Sequence, residues 1–358
     1  MLSEIKIRNK ILILIIIIII LSQPVSAQSN PEKINTIEFD YIELVENNIY
    51  TVKDFYNKNL NSPLNYTNGE LNQFQKTKLK FQINDIFSFG YIKETEKNYT
   101  LNEDTLRFYT NILNDEKHLD NYKISFQSFS QTTEGIFLNT EIYKKNDLQL
   151  TLISKYLSGK KIIQRNYEGK AYKQNNELII KAFNDGINSD INRTIEDEDF
   201  QSKGYSFGIN ASYELNKNTN INFSTKNLFS NIYWYNVYTN ISKINTDNII
   251  INEEGYKEYI SSVTGNSYFD DYKTRLTPEY NFNANNKSYN IGIFYRNKLY
   301  PYFNCKVNSN PEIRVGFWSE YLTLKVKNNI FNLEIRTNNF LPSKITSIYL
   351  KLGINYSF

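Results

Sequence analysis

Beyond about residue 78, apolar and polar positions alternate with a period of two, which predicts strands with two unlike faces. Tyr205, Phe207, Ile209, Ala211, Tyr213 and Leu215 interleave with Ser206, Gly208, Asn210, Ser212 and Glu214. Tyr289, Ile291, Ile293 and Tyr295 stand against Asn290, Gly292, Phe294 and Arg296 in the same way. Asn-rich turn signals separate the runs, at Asn175-Asn176, Asn216-Lys217-Asn218, Asn285-Asn286-Lys287 and Asn328-Asn329. Past residue 27 no stretch carries a convincing helical stripe of more than two turns.

One hairpin can be worked out residue by residue. A two-residue loop at Asn328-Asn329 pairs Lys327 with Ile330 and sets the remaining pairs. Leu322, Leu324 and Val326 then face Ile335, Leu333 and Phe331, an apolar face. The other face pairs Thr323 with Glu334 and Lys325 with Asn332, and leaves Lys325 diagonal to Glu334.

A soluble β-sandwich would turn the apolar face to its core, and a membrane barrel would turn it to lipid. The end of the chain favours the barrel. Leu350, Leu352, Ile354, Tyr356 and Phe358 alternate with Lys351, Gly353, Asn355 and Ser357, and the sequence stops there. A soluble chain rarely ends mid-strand on a large apolar residue, because a fraying terminus exposes it. In a closed barrel the last strand pairs with the first. Lys351, Gly353, Tyr356 and Phe358 also sit where the terminal assembly signal of bacterial outer-membrane barrels places a polar residue, a glycine and two hydrophobics.

The start of the chain agrees. Lys6, Arg8 and Lys10 precede an apolar run over residues 11–21, and Ser22-Gln23-Pro24-Val25-Ser26-Ala27 follows, the three parts of a secretory signal. The expected cut lies between Ala27 and Gln28. No cysteine follows the run, so no lipoprotein anchor is expected.

Composition narrows the function. One His and one Cys exclude a Cys/His zinc site and a disulfide framework. A mean hydropathy of -0.53 excludes a bundle of membrane helices. With 41 basic and 38 acidic residues there is no electrostatic case for nucleic acid. The abundance of Asn, Lys, Ile and Tyr, and 8 Arg against 33 Lys, partly reflects A/T-rich codons.

The expected architecture is an all-β, transmembrane antiparallel barrel of about 14 strands, with 12 to 16 defensible, closed by the C-terminal strand. It occupies residues 78–358, after a signal peptide at 1–27. Residues 28–77 alternate poorly and are expected to form a plug, a periplasmic segment or first strands. Counting back from the terminal strand puts turns near residues 328–329, 285–288, 216–220 and 174–176 on the periplasmic side. The long connections at 184–203 and 239–272 then fall outside.

Candidate chemistry is sparse. His118, in a polar turn, is read as solvated rather than as a general base, and Cys305 as an inert thiol. Glu196-Asp197-Glu198-Asp199 is read as a solvated loop rather than a calcium site. Trp234 with Tyr233 and Tyr235, and Trp318, are expected in the aromatic girdles, with Tyr356 and Phe358 at the opposite rim. Lys325, Glu334, Arg336, Arg296 and Glu279, with Lys351, Arg275 and Lys273, fall on the polar face and so are expected to point into the lumen. They read as rigidifying ion pairs rather than a selective constriction.

Several segments together resemble a known family. Gly204-Tyr205-Ser206-Phe207-Gly208-Ile209-Asn210-Ala211-Ser212-Tyr213, Asn222-Phe223-Ser224 and Asn231-Ile232-Tyr233-Trp234 resemble the central strands of TraF-like barrels, and Leu333-Glu334-Ile335-Arg336-Thr337-Asn338-Asn339 their end. These outer-membrane barrels are distantly similar to conjugal-transfer TraF and to FadL-type fatty-acid transporters. Asn30-Pro31 is similar to the Asn-Pro-Ala of the FadL plug, with Glu32 in place of Ala, and no ligand-binding residue carries over. The resemblance implies a non-enzymatic barrel of a Gram-negative outer membrane, without cofactor, that passes a small apolar solute or forms part of an envelope apparatus. Expected partners are outer-membrane lipid, the barrel assembly machinery, and an apolar small molecule or an envelope protein, with no nucleic acid. The alternatives are a filled barrel acting as an adhesin or docking protein through long outer loops, and a secreted soluble sandwich.

Overall fold

The period-two runs build one antiparallel sheet, here in a computed structural model that describes residues 36–57, 63–64, 68–83, 86–113, 121–174, 177–189, 201–251 and 257–357. The strands are β1 (Thr36–Asn47), β2 (Gly69–Gln82), β3 (Phe87–Leu101), β4 (Tyr122–Lys145), β5 (Leu148–Gln174), β6 (Glu177–Asn188), β7 (Gln201–Asn216) and β8 (Thr219–Ile251). They continue with β9 (Lys257–Thr274), β10 (Glu279–Asn286), β11 (Tyr289–Arg296), β12 (Lys298–Ser309), β13 (Glu312–Trp318), β14 (Tyr321–Lys327), β15 (Phe331–Thr337) and β16 (Ser347–Ser357). Helix α1 (Val52–Asn57) follows β1, and α2 (Glu103–Leu113) follows β3.

Pairing of β1 with β16 from Thr36↔Ser357 to Glu46↔Ser347 closes the sheet. The closed ring has 14 strands, all but β6 and β9. Those two extend the wall upward on one side. Long β5 pairs with β7 through Leu148–Leu157 and with β6 through Ile163–Gln174. Long β8 pairs with β10 in its first half and with β9 in its second. The upper parts of β4, β5 and β8, with β6 and β9, therefore stand beyond the rim as an outer sheet.

The barrel begins upstream of residue 78, because β1 and β2 are wall strands. Their weak alternation has a physical reason. On β1, Ile42 and Leu44 face inward and Glu43 faces outward, where it accepts hydrogen bonds from Tyr41 (2.8 Å) and Gln75 (2.9 Å).

At the rim that holds Ser357, six short connections join β2–β3, β4–β5, β7–β8, β10–β11, β12–β13 and β14–β15. The turn at 174–176 is not among them. It joins β5 to β6 at the far end of the outer sheet, because β5 runs for 27 residues through the wall and beyond it. Residues 239–272, expected as a long loop, are mostly the β8–β9 hairpin, whose described part pairs from Ile232↔Thr274 to Ile251↔Lys257. The absence of a longer helix is also corrected, since α2 has 11 residues. Leu106 and Thr110 are its covered positions while Tyr109 and Ile112 stay exposed.

The hairpin register is shifted by two residues from the expected one: Val326 faces Leu333, Leu324 faces Ile335 and Lys325 faces Glu334 directly. Asn328 causes the shift. Its Oδ1 accepts from the amides of Ile330 (2.8 Å) and Phe331 (2.7 Å), and its own amide donates to the Phe331 carbonyl (2.9 Å). The turn thus moves on to Asn329-Ile330. A slip of two leaves every side chain on its own face.

Apolar side chains cover the outside. Phe207, Ile209, Ile291, Ile293, Phe303, Phe317 and Leu324 are exposed there. Ile348 through Tyr356 on β16 spans about 20 Å at the usual strand rise and tilt, near the ~25 Å apolar band of membrane barrels. Exposed apolar side chains outside and buried charges inside identify a transmembrane β-barrel.

Candidate functional site

The lumen holds three zones, each set by inward positions of the wall strands. At the junction with the outer sheet sits an apolar core: Trp234 and Ile232 from β8, Leu157 and Ile162 from β5, Ile92 from β3 and Phe137 from β4, with Leu276. Trp234 is fully buried, and its Nε1 donates to Thr274 Oγ1 at 2.8 Å. It therefore lies inside the barrel and not in a girdle. Gly159 makes room for it, since a Cβ there would come within 2.2 Å of the indole ring. The segment 275–278, between β9 and β10, caps this zone through paired contacts between Ser230 and the Leu276 backbone.

Beneath lies an ionic web that crosses the lumen. Glu94 of β3 pairs with Lys76 of β2 at 2.7 Å and with Lys155 of β5 at 3.2 Å. Arg296 of β11 bridges Glu279 of β10 at 2.8 Å and Glu96 of β3 at 3.3 Å. Lys226 of β8 completes the Glu279 pair at 3.2 Å. Asn227, at a left-handed φ of 56° that Asn tolerates, ties the web to the wall: its Oδ1 accepts from Lys155 (2.9 Å) and Ser206 (2.9 Å). In ring order β3 and β11 stand six strands apart around one side of the 14, so the Glu96–Arg296 contact joins nearly opposite walls.

The third zone is aromatic. Trp318 stacks on Tyr302 with centroids 4.8 Å apart and planes at 11°. The Arg336 guanidinium lies over Trp318 at 3.2 Å and over Tyr349 at 4.1 Å, and it pairs with Glu334. Tyr300 and Tyr321 both donate to Glu46 Oε1 at 2.7 Å. A cavity of about 100 Å³ lies between these rings, the apolar side chains Ile42, Leu44 and Phe74, and the web residues Lys76, Lys226, Glu279 and Arg296.

Of the expected lumen charges, Glu279 and Arg296 lie in the web, and Arg336 and Glu334 in the aromatic zone. Lys325 stands opposite Glu334, and Lys351 Nζ is 3.7 Å from Asp40. Lys273 is exposed, over Tyr233 on the outer surface, and Arg275 is exposed in the segment 275–278. That non-strand segment inverts the phase between β9 and β10, so their odd positions do not share a face. Trp318 also faces the lumen, not a girdle. Gly353 and Tyr356 lie on β16, Tyr356 exposed. Cys305 is a free thiol on β12. Ala27, Gln28, His118, Glu196 to Asp199 and Phe358 fall outside the described residues. No metal-holding group of His, Cys, Asp and Glu occurs among the described residues.

Glu94, Glu96, Lys76, Lys155 and Lys226 went unread in sequence. Their signal was present: Lys76, Lys78 and Lys80 recur every second residue, as do Glu94 and Glu96. In the outer sheet, the hydrogen bond from Lys181 holds the Asp247 carboxyl below its ordinary value.

No family model and no curated protein matches the sequence. Among solved structures, the P. putida toluene transporter TodX is 8% identical, with 92% of this chain and 90% of that chain covered and a TM-score of 0.41. The Ralstonia pickettii toluene transporter TbuX is 7% identical, covering 90% and 89%, with a TM-score of 0.36. The Escherichia coli outer membrane protease OmpT is 9% identical, covering 93% and 99%, with a TM-score of 0.27. Likeness at this level carries no argument about function.

Proposed function

We propose that the chain is an outer-membrane channel that holds a small, largely apolar solute in the lumen on its way through. One observation carries this reading: the cavity is walled by Ile42, Leu44, Phe74, Phe294, Trp318 and Tyr349, directly beside the charged web. A barrel that served only as a rigid scaffold would have no need of an aromatic-walled cavity at its centre. The secretory signal pattern and the terminal-strand pattern ending at Phe358 support export and assembly into the outer membrane.

Trp318 lines the cavity and Trp234 does not, so emission from Trp318 reports occupancy. Titration of the folded protein with single-ring compounds is expected to give a saturable change that Trp318→Phe abolishes. A linear, non-saturating response to every compound would overturn the channel reading. The outer sheet supports a second reading, docking of a partner, because β9 pairs only with β8 among the described residues and exposes Val263, Tyr268 and Phe269.

A further inference from the structure

The chemistry of the cavity, taken with the channel reading on which this rests, narrows the class of solute. Its donors and acceptors are unequally used. Glu46 accepts two tyrosine hydroxyls, both on Oε1, and Glu279 accepts from Arg296 and Lys226. The donors of Arg336 are only half used. Its Nε (2.8 Å) and Nη2 (2.5 Å) both go to a single oxygen, Oε1 of Glu334. Its Nη1 has no partner among the described residues, although the residue is only 8% exposed and lines the cavity. The Tyr349 hydroxyl, which also lines the cavity, has no hydrogen-bond partner among them either.

Stacking makes this spare edge directional. With the Trp318 and Tyr349 rings both packed against it, the guanidinium plane is held and its edge is what meets a ligand. A planar group with two acceptor oxygens matches such an edge in a fork. Of the cations on the cavity wall, Lys76, Lys226 and Arg296 are engaged by Glu94, Glu279 and Glu96, which leaves the Arg336 edge to meet a ligand. Apolar walls from Ile42, Leu44, Phe74 and Phe294 lie beside the edge. Size sets the remaining limit. Benzene fills an engineered cavity of about 150 Å³, so one of about 100 Å³ that is open to the rest of the lumen seats no more than a single ring.

We infer that the cavity selects a single-ring aromatic carboxylate, its ring against the apolar wall and its carboxylate on the free edge of Arg336 and the Tyr349 hydroxyl. A neutral hydrocarbon of the same shape would leave both donors unfilled, which a buried site disfavours.

The test compares benzoate with toluene on the wild-type protein in lipid nanodiscs at neutral pH, following Trp318 emission against empty discs. Benzoate is expected to bind at least about tenfold tighter. Arg336→Lys, which keeps the charge and loses the fork, is expected to remove most of that preference, lowering benzoate affinity far more than that of toluene. Tyr349→Phe, which leaves the Arg336–Glu334 pair intact, should reduce it several-fold and serves if the arginine variant does not fold. Equal affinities, or toluene the tighter, would overturn the carboxylate assignment and leave the channel reading standing. Saturable binding of neither would overturn both.

Discussion

Replacing Arg296 by Met tests whether the lumen is filled or hydrated. Arg296 is 7% exposed, bridges Glu279 at 2.8 Å and Glu96 at 3.3 Å, and stacks on Phe74 with 3.5 Å from its central carbon to the ring centroid. Met keeps much of the length and the contact with Phe74 but removes the charge and both hydrogen bonds. Glu279 retains Lys226 at 3.2 Å. Glu96 keeps only neutral donors, Thr277 Oγ1 at 2.5 Å and Gln131 Nε2 at 3.5 Å. Glu96 thus becomes a buried carboxylate without a cation. Removing one partner of a buried pair costs about 3–5 kcal/mol, a factor of roughly one hundred to several thousand in the folding equilibrium. Urea titration of the barrel in lipid vesicles, followed by tryptophan emission, reads this as a lower midpoint at unchanged slope. The double variant Arg296→Met with Glu96→Gln should recover about half of the loss, because the orphaned charge is gone. A change below about 1 kcal/mol in the single variant would mean that water already solvates both groups. That result would refute a web held out of water in the lumen.

Three further outcomes follow from the same structure. Gly159→Val should cost about 1–3 kcal/mol by overpacking against the Trp234 ring, measured as a lower urea midpoint; an unchanged midpoint would mean the indole moves freely. Cys305 should resist a charged thiol reagent in the membrane-embedded barrel and react once the chain is unfolded, whereas rapid labelling of the folded form would place that face of β12 in water. Deletion of Phe358 should slow assembly and leave protein in the periplasm, scored by fractionation, and normal membrane yield would remove the terminal residue from the recognition signal.

The C-terminal half of the barrel was legible in sequence, and the physical reason is the simplicity of its two faces. From β10 to β16 the outward residues are almost all apolar and the inward ones almost all polar, so period two read directly as in and out. The terminal closure followed from Leu350 to Phe358 for the same reason. Legibility failed where a face is mixed. Ile42 and Leu44 point inward and Glu43 outward, so β1 lacked a clean pattern although it closes the ring. It failed again where strands outgrow the membrane, since β5 carries the 174–176 turn to the side opposite to that expected and β8 stays paired through a stretch expected as an outer loop. Phase was lost across 275–278, which misplaced Lys273.

The site was legible in part. Glu279, Arg296, Glu334 and Arg336 could be assigned to the polar face, but their partners could not, because Glu94, Glu96 and Lys155 come from strands far apart in the chain. Trp318 illustrates the same limit. A tryptophan at a strand end is as readily a girdle residue as a lumen residue, and only the approach of Tyr302 and Arg336 decides between them.

Outer-membrane fractionation with electrophoresis of boiled and unboiled samples tests the membrane barrel most directly. The expected result is mature protein in the membrane fraction that migrates faster unboiled than boiled, as a closed barrel resisting detergent does. Soluble periplasmic protein whose mobility is the same before and after boiling would contradict it.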